Sequence, residues 1–223
     1  EERTGDAASR YHEEERLSLF MTGLAAPENW NQGQSKSNPY SIKAEVLNLL
    51  VSIGIPESTI QQAPHQSPLV LEGLTLRAQG MEIGRMGKIR STVAKKFGVK
   101  HDVFWADFSV DALTKIVHRT RKKASDLAKF PAVRRDLSLL LKSGTTFGQI
   151  RDAAHKAEKK LLKRVGLFDV YEGDKLADGQ VSYAISLTLQ DDEKTLDDRR
   201  IDQSVQRILD AIVQETGAIL RDQ

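Results

Sequence analysis

The stretch Phe130 to Leu141, reading Phe-Pro-Ala-Val-Arg-Arg-Asp-Leu-Ser-Leu-Leu-Leu, restricts the fold more than any other part of the chain. Pro131 stops any helix that comes before it, because it lacks an amide hydrogen and excludes helical geometry in the residue ahead. Beyond it the side chains alternate as in a strand: Val133, Leu137 and Leu139 point one way, Arg134, Asp136 and Ser138 the other. Arginine and aspartate inside a strand are costly on any buried face. One face of this strand must therefore stay open, to solvent or to a polar partner. The chain divides around it into a module at residues 1–118, a basic connector at 119–129, and a second module at 130–223 built on the strand.

At 223 residues, either one large domain or two small ones can bury a core. A net charge of +2, from 33 basic and 31 acidic residues, excludes a histone-like polyelectrolyte but leaves room for local basic patches. The absence of cysteine excludes disulfides and Cys-ligated clusters and fits a reducing compartment. No apolar run reaches membrane-spanning length and no signal peptide opens the sequence, so a cytoplasmic protein is expected. The start at Glu1 rather than Met reads as a piece of a longer chain.

In the first module, Leu17, Leu19 and Met21 alternate as a strand closed by Gly23, and a polar loop follows around Trp30 and Gly33 to Asn38. A helix capped by Ser41 is expected next, with the stripe Ile42, Val46, Leu49, Leu50, Ile53 and a stop at Gly54. Pro56, Pro64 and Pro68 mark a loop. Leu69–Leu71, Leu74–Ala78 and Met81–Ile83 read as a meander with turns at Glu72-Gly73 and Gln79-Gly80. A short helix at Ser91–Phe97, a buried strand at Val103–Phe108 and a helix capped by Asp111 complete the module. Its histidines, His12, His65, His101 and His118, lack metal-ligand spacing, and Glu13-Glu14-Glu15 reads as a solvated edge. Gly80, Gly84 and Gly87 fit hairpin turns better than a phosphate loop, because no helix start follows directly. With no nucleophile–base pair, the module reads as a scaffold.

The run His118-Arg119-Thr120-Arg121-Lys122-Lys123 is either a solvated helix end or a phosphate-contacting connector. After the opening strand, Thr145 or Thr146 caps a helix whose apolar face runs through Ile150, Ala153, Ala154, Ala157, Leu161 and Leu162. Its other face carries Arg151, Lys156, Lys159, Lys160, Lys163 and Arg164. A strand over 166–172 is expected to turn Phe168 and Val170 inward and Leu167, Asp169 and Tyr171 outward. A hairpin follows, then a strand with Tyr183, Ile185, Leu187 and Leu189 in and Ser182, Ala184, Ser186 and Thr188 out. A helix opened by Asp197 and Asp198, with the stripe Ile201, Val205, Ile208, Leu209, Ile212 and a stop at Gly217, leads into a last strand at Ala218–Arg221. The order βαββαβ is the ferredoxin-like split arrangement, so the chain as a whole is α+β.

Two helices cover one sheet face. The other carries Arg134, Asp136, Ser138, Asp169, Tyr171, Ser182 and Ser186, short or hydrogen-bonding groups that let a flat partner approach and can read base edges. Together with Lys159 and Lys163 for phosphate, these are the candidate RNA-binding residues. A plain wetted sheet face is the bland alternative.

Phe130 to Leu137 together with Leu167-Phe168-Asp169-Val170-Tyr171-Glu172-Gly173 is similar to the anticodon-binding domain of phenylalanine–tRNA ligase beta subunits. Ser182 to Gln190 and Lys194-Thr195-Leu196-Asp197-Asp198 extend the match over nearly all of Phe130 to Gln223. The first module resembles, more loosely, the end of that subunit's synthetase-like module, through Leu17 to Gly23, Trp30, Lys43, Gly80 to Gly84, Gly87 and Phe97-Gly98. It departs at His65-Gln66-Ser67-Pro68-Leu69-Val70, where the family has His-Pro-Gly-Arg-Ser-Ala, and at Gly87-Lys88-Ile89-Arg90-Ser91, where it has Gly-Glu-Leu/Ile-His-Pro. The resemblance implies an α2β2 ligase that uses ATP and magnesium, with chemistry in the alpha subunit. The beta synthetase-like module would be inert and the last domain would bind the anticodon of tRNA(Phe), the positions of Asp169 and Ser182 touching bases. No catalytic residue, metal ligand or cofactor site is expected in this chain, which has no class II signature loop or arginine-bearing ATP motif. Two other readings compete. A generic ferredoxin-like RNA-binding module would stack bases on central-strand aromatics, where this chain has serine and alanine. A small-ligand regulatory domain would need a longer glycine-rich loop than Ser143-Gly144-Thr145.

Overall fold

The computed structural model describes residues 13–31, 33–120, 129–174 and 176–221. Arg121, Lys122 and Lys123 of the basic run, and His12, lie outside them. The chain forms two compact units, Glu1–Ala124 and Ser125–Gln223, each with its own core.

The first unit is a five-stranded antiparallel sheet in the order β1-β5-β4-β3-β2, formed by β1 (Arg16–Thr22), β2 (Ile60–His65), β3 (Val70–Ala78), β4 (Met81–Ile89) and β5 (Val103–Ser109). The helices α1 (Pro39–Ser52) and α3 (Val110–Arg119) supply Ile42, Val46, Leu50, Leu113 and Ile116 to a core closed by Phe104, Ala106 and Phe108 of β5. A short α2 (Ser91–Lys96) lies between β4 and β5.

Helix starts shift from the expected residues. Asn38, not Ser41, caps α1: its side chain accepts from the amides of Tyr40 and Ser41, and Ser41 returns a bond as the third helical residue of a capping box. Ser109 rather than Asp111 caps α3. The strand β2 includes Pro64, tolerated because β2 is an edge strand bonded only to β3. Glu72-Gly73 is no turn; β3 passes through it with a register shift between Val70 and Glu72. Gly84 and Gly87 sit inside β4, where a Cβ on Gly87 would come within 2.2 Å of the Glu72 carbonyl oxygen and one on Gly84 within 2.5 Å of that of Asp107. Of Gly80, Gly84 and Gly87, only Gly80 turns the chain, with Gln79 beside it also at positive φ.

The second unit has four antiparallel strands in the order β7-β8-β6-β9, from β6 (Val133–Lys142), β7 (Leu162–Tyr171), β8 (Gln180–Leu189) and β9 (Ile219–Leu220). With α4 (Phe147–Ala157) and α5 (Asp198–Thr216) on one face, the ferredoxin-like α+β fold is present. Thr146 and Gln149 form a capping box at α4, Asp197 caps α5, and Gly217 ends α5 in the left-handed conformation that favours glycine.

The helix α4 is shorter than its apolar stripe implied. Leu161 and Leu162 are buried, but they come from the link to β7 and from β7 itself. The stop is Glu158, whose side chain is only 8% exposed. Its carboxylate accepts from the amides of Lys160 and Leu161, from the Ser204 hydroxyl and from Arg207, at 3.2, 3.1, 3.2 and 2.5 Å. The turn out of α4 is thus tied to α5. Burial pushes the Glu158 carboxyl up, and the bonds from Arg207 and the two amides outweigh it, leaving the group below its ordinary value. Asp191 holds the other approach to α5, paired with Arg200 at 2.9 Å and accepting from the Glu193 amide at 3.0 Å.

Candidate nucleic-acid interface

The face of the second sheet turned away from α4 and α5 is set by the pairing register. Arg134, Asp136 and Ser138 of β6 stand opposite Thr188, Ser186 and Ala184 of β8, and Leu140 opposite Ser182. On the other side of β8 stand Arg164, Gly166, Asp169 and Tyr171, opposite Thr188, Ser186, Ala184 and Ser182. The surface is therefore built mostly of serine, alanine, glycine and threonine at its centre, with charged and aromatic groups to either side. Gly166 keeps it flat: a Cβ there would lie 2.7 Å from the Ser186 hydroxyl oxygen.

Two bulges shape β7. At one, Lys163 is the extra residue between Leu162 and Arg164; at the other, Phe168 is the extra residue between Leu167 and Asp169. The second reverses the expected facing. Leu167 pairs opposite Ile185 and packs against the core, while Phe168 is 54% exposed on the open face. Val170, opposite Tyr183, is also half-exposed at the hairpin end of the strand. Beyond the bulge Asp169 and Tyr171 face outward, and the Tyr171 ring folds back over Gly173, where a Cβ would meet its hydroxyl at 2.8 Å.

On this face Arg134 donates to both carboxylate oxygens of Asp136, from Nε at 2.8 Å and Nη2 at 3.3 Å. Its guanidinium carbon lies 5.2 Å from the centre of the Phe168 ring. Further along the sheet, Arg221 reaches Ser182: the guanidinium donates to the hydroxyl at 3.4 Å, and the Arg221 amide donates to the Ser138 carbonyl at 2.9 Å. Ser182 lies on the outward side but is only 6% exposed, so its hydroxyl is already covered and partnered. Ser138 and Ser186 are half-buried, and Arg134, Asp136, Asp169 and Tyr171 are exposed.

Lys159 and Lys163 do not share a helix face, since α4 ends at Ala157. Lys159 sits exposed in the link and Lys163 in the first bulge of β7. The loop after β8 meets them with acid: Lys163 pairs with Asp192 at 2.8 Å and Lys160 with Glu193 at 3.8 Å. The basic surface is partly neutralised.

Phe168 is the exposed group on this face that strict alternation missed. A bulge depends on the partner strand, so a period-two reading of 166–172 cannot show it. The available signal was Asp169 two residues from Leu167, one polar and one apolar on what should be a single face.

In the first unit, the sheet face away from its helices carries Phe20 opposite Trp105, and Arg16 and Ser18 bonded to Asp107. The two segments that depart from the family pattern meet there in a shallow pocket lined by Gln66, Ser67, Pro68, Val70, Leu71 and Arg90, and the Arg90 amide donates to the Leu69 carbonyl at 2.9 Å.

The family described as "Ferredoxin-fold anticodon binding domain" matches residues 128–221, and that described as "Phenylalanyl tRNA synthetase beta chain CLM domain" matches residues 2–110. The chain is 34% identical to a phenylalanine–tRNA ligase beta subunit of Bacteroides fragilis over 212 residues, 95% of this chain and 26% of the relative. It is 32% identical to that of Haemophilus influenzae over 208 residues and 31% identical to that of Geobacillus kaustophilus over 211, each alignment covering 26% of the relative. The chain spans about a quarter of the length of the curated relatives it matches.

Proposed function

Because the chain belongs to the phenylalanine–tRNA ligase beta subunit family, we propose that its second unit binds the unpaired anticodon of tRNA(Phe) on the open sheet face, as part of a cytoplasmic α2β2 ligase. The observation that carries this reading is the helix-free face itself. It is low and flat at Gly166, Ala184 and Ser186, and flanked by exposed Asp169, Tyr171 and Phe168. Single-stranded bases need just such a surface, with a close approach, a π-face to stack on and short polar groups at the edges. In this reading the exposed Asp169 accepts from a base amine, while Lys159 and Lys163 at the rim add attraction that is indifferent to sequence.

The first unit is proposed as the inert partner that supports assembly with the alpha subunit, where phenylalanine, ATP and magnesium would be handled. Its residues do not fit nucleotide chemistry well. On its open sheet face Arg16 is paired with Asp107 and Arg85 with Glu82, and Phe20 and Trp105 stand opposite each other there. Among the described residues, no helix is long and apolar enough to cross a membrane.

The test is binding of the chain to the anticodon stem-loop of tRNA(Phe) and to the same hairpin with a scrambled loop. Preferential binding of the first, narrowed by Asp169→Ala, is expected. Equal binding of both hairpins would remove the anticodon reading and leave a generic RNA-binding module.

A further inference from the structure

We propose that Arg134, Asp136 and Phe168 form a preorganised stacking platform for one unpaired nucleotide, distinct from the groups that read base identity; it rests on the anticodon reading of this same face. The bulge in β7 brings the Phe168 ring onto the open surface, 54% exposed. Arg134 lies over that ring with its guanidinium carbon 5.2 Å from the centroid. Two bonds to Asp136, at 2.8 and 3.3 Å, fix the guanidinium plane at two points. The Arg134 side chain is nevertheless 58% exposed, so the group remains accessible to a partner. On β7 beside Phe168, Gly166 contributes no side chain, and Ser186 opposite it is short.

A planar cation backed by an aromatic ring and held by a carboxylate suits the π-face of a base and makes no use of its hydrogen-bonding edge. The platform therefore adds affinity at one loop position without selecting the base there. Because Asp136 already neutralises Arg134, the gain depends little on salt, unlike a phosphate contact. The competing role is a cation–π pair that only shields an exposed phenylalanine and contributes nothing to RNA.

The experiment measures binding of the 223-residue chain to anticodon stem-loops in which each loop nucleotide in turn is made abasic, at two salt concentrations. One abasic position should weaken binding roughly five- to a hundredfold. Arg134→Lys, which keeps the charge but not the plane, and Phe168→Leu, which keeps the bulk but not the ring, should lose a similar factor on the intact loop. Both should become insensitive to that abasic position, with the salt slope unchanged and the thermal midpoint near that of the unsubstituted chain. Phe168→Tyr should bind like the unsubstituted chain. Unchanged affinity in Arg134→Lys and Phe168→Leu, or weakening that leaves the abasic profile intact, overturns the platform. In that case a persisting effect of Asp169→Ala keeps the anticodon reading. If the unsubstituted chain does not distinguish the intact loop from unrelated RNA, the anticodon reading fails and takes the platform with it.

Discussion

Asp169 and Ser182 look equivalent in the sequence, both short and polar on outward strand positions, yet they are placed differently. Asp169 is exposed, whereas Ser182 is 6% exposed and accepts from Arg221. A group already desolvated and bonded gains little from a new partner unless the old one leaves. Asp169→Ala is therefore expected to lose about 1–3 kcal/mol of discrimination between cognate and noncognate loops, the usual worth of a good base contact. Ser182→Ala should lose less than about 1 kcal/mol. Competition binding of the two variants against the same pair of hairpins checks the order; a larger loss for Ser182→Ala would mean that RNA displaces Arg221. Asp169→Ala should shift stability by less than about 0.5 kcal/mol, because it is a surface substitution away from caps and buried pairs.

At the scale of elements, Glu158 decides where α4 stops and how the turn into β7 attaches to α5. A carboxylate with two amide donors, a hydroxyl and an arginine around it is stabilised in its charged form, and its folded value lies below the ordinary 4.5. The stability it contributes is thus complete above pH 4.5 and is lost as pH falls through that value toward the depressed one. Thermal unfolding of the second unit should weaken over this acid window. Glu158→Gln should unfold about 1–2 kcal/mol more easily at neutral pH, with a shallower acid decline, measured by melting from pH 7 to pH 3. An unaltered decline would assign the acid loss to other carboxylates, Asp191 first, which the Glu193 amide and Arg200 hold below its ordinary value.

For the whole molecule, the charge pattern sets how binding responds to salt. The net charge of +2 attracts RNA only through local patches. Lys159 is exposed beside the acidic loop, while Lys163 is already paired with Asp192. Lys159→Ala should reduce the slope of log affinity against log salt by about 0.7, the value for one phosphate contact to a single strand. Lys163→Ala should reduce it by less, since its counterion is partly the protein's own. Both should weaken cognate and noncognate loops alike. Identical slopes in all three proteins would route the RNA backbone away from this rim.

The second unit's strand and helix order, and the presence of an open polar face, were legible in residues 130–223 because alternation and apolar stripes are local signals. The βαββαβ series followed from Val133 to Leu139, from the stripe at Ile150 to Ala154, and from Tyr183 to Leu189. Three things required tertiary structure. Phe168 moved to the open face because a bulge is a property of two paired strands, and one strand alone fixes no register. Helix α4 ended at Ala157 because Glu158 found partners in Ser204 and Arg207, far along the chain. Gly84 and Gly87 are glycine because neighbouring strands leave no room for a Cβ, which no turn pattern could reveal. Periodicity specifies which side chains share a face; only the packed neighbours decide which of them stay reachable.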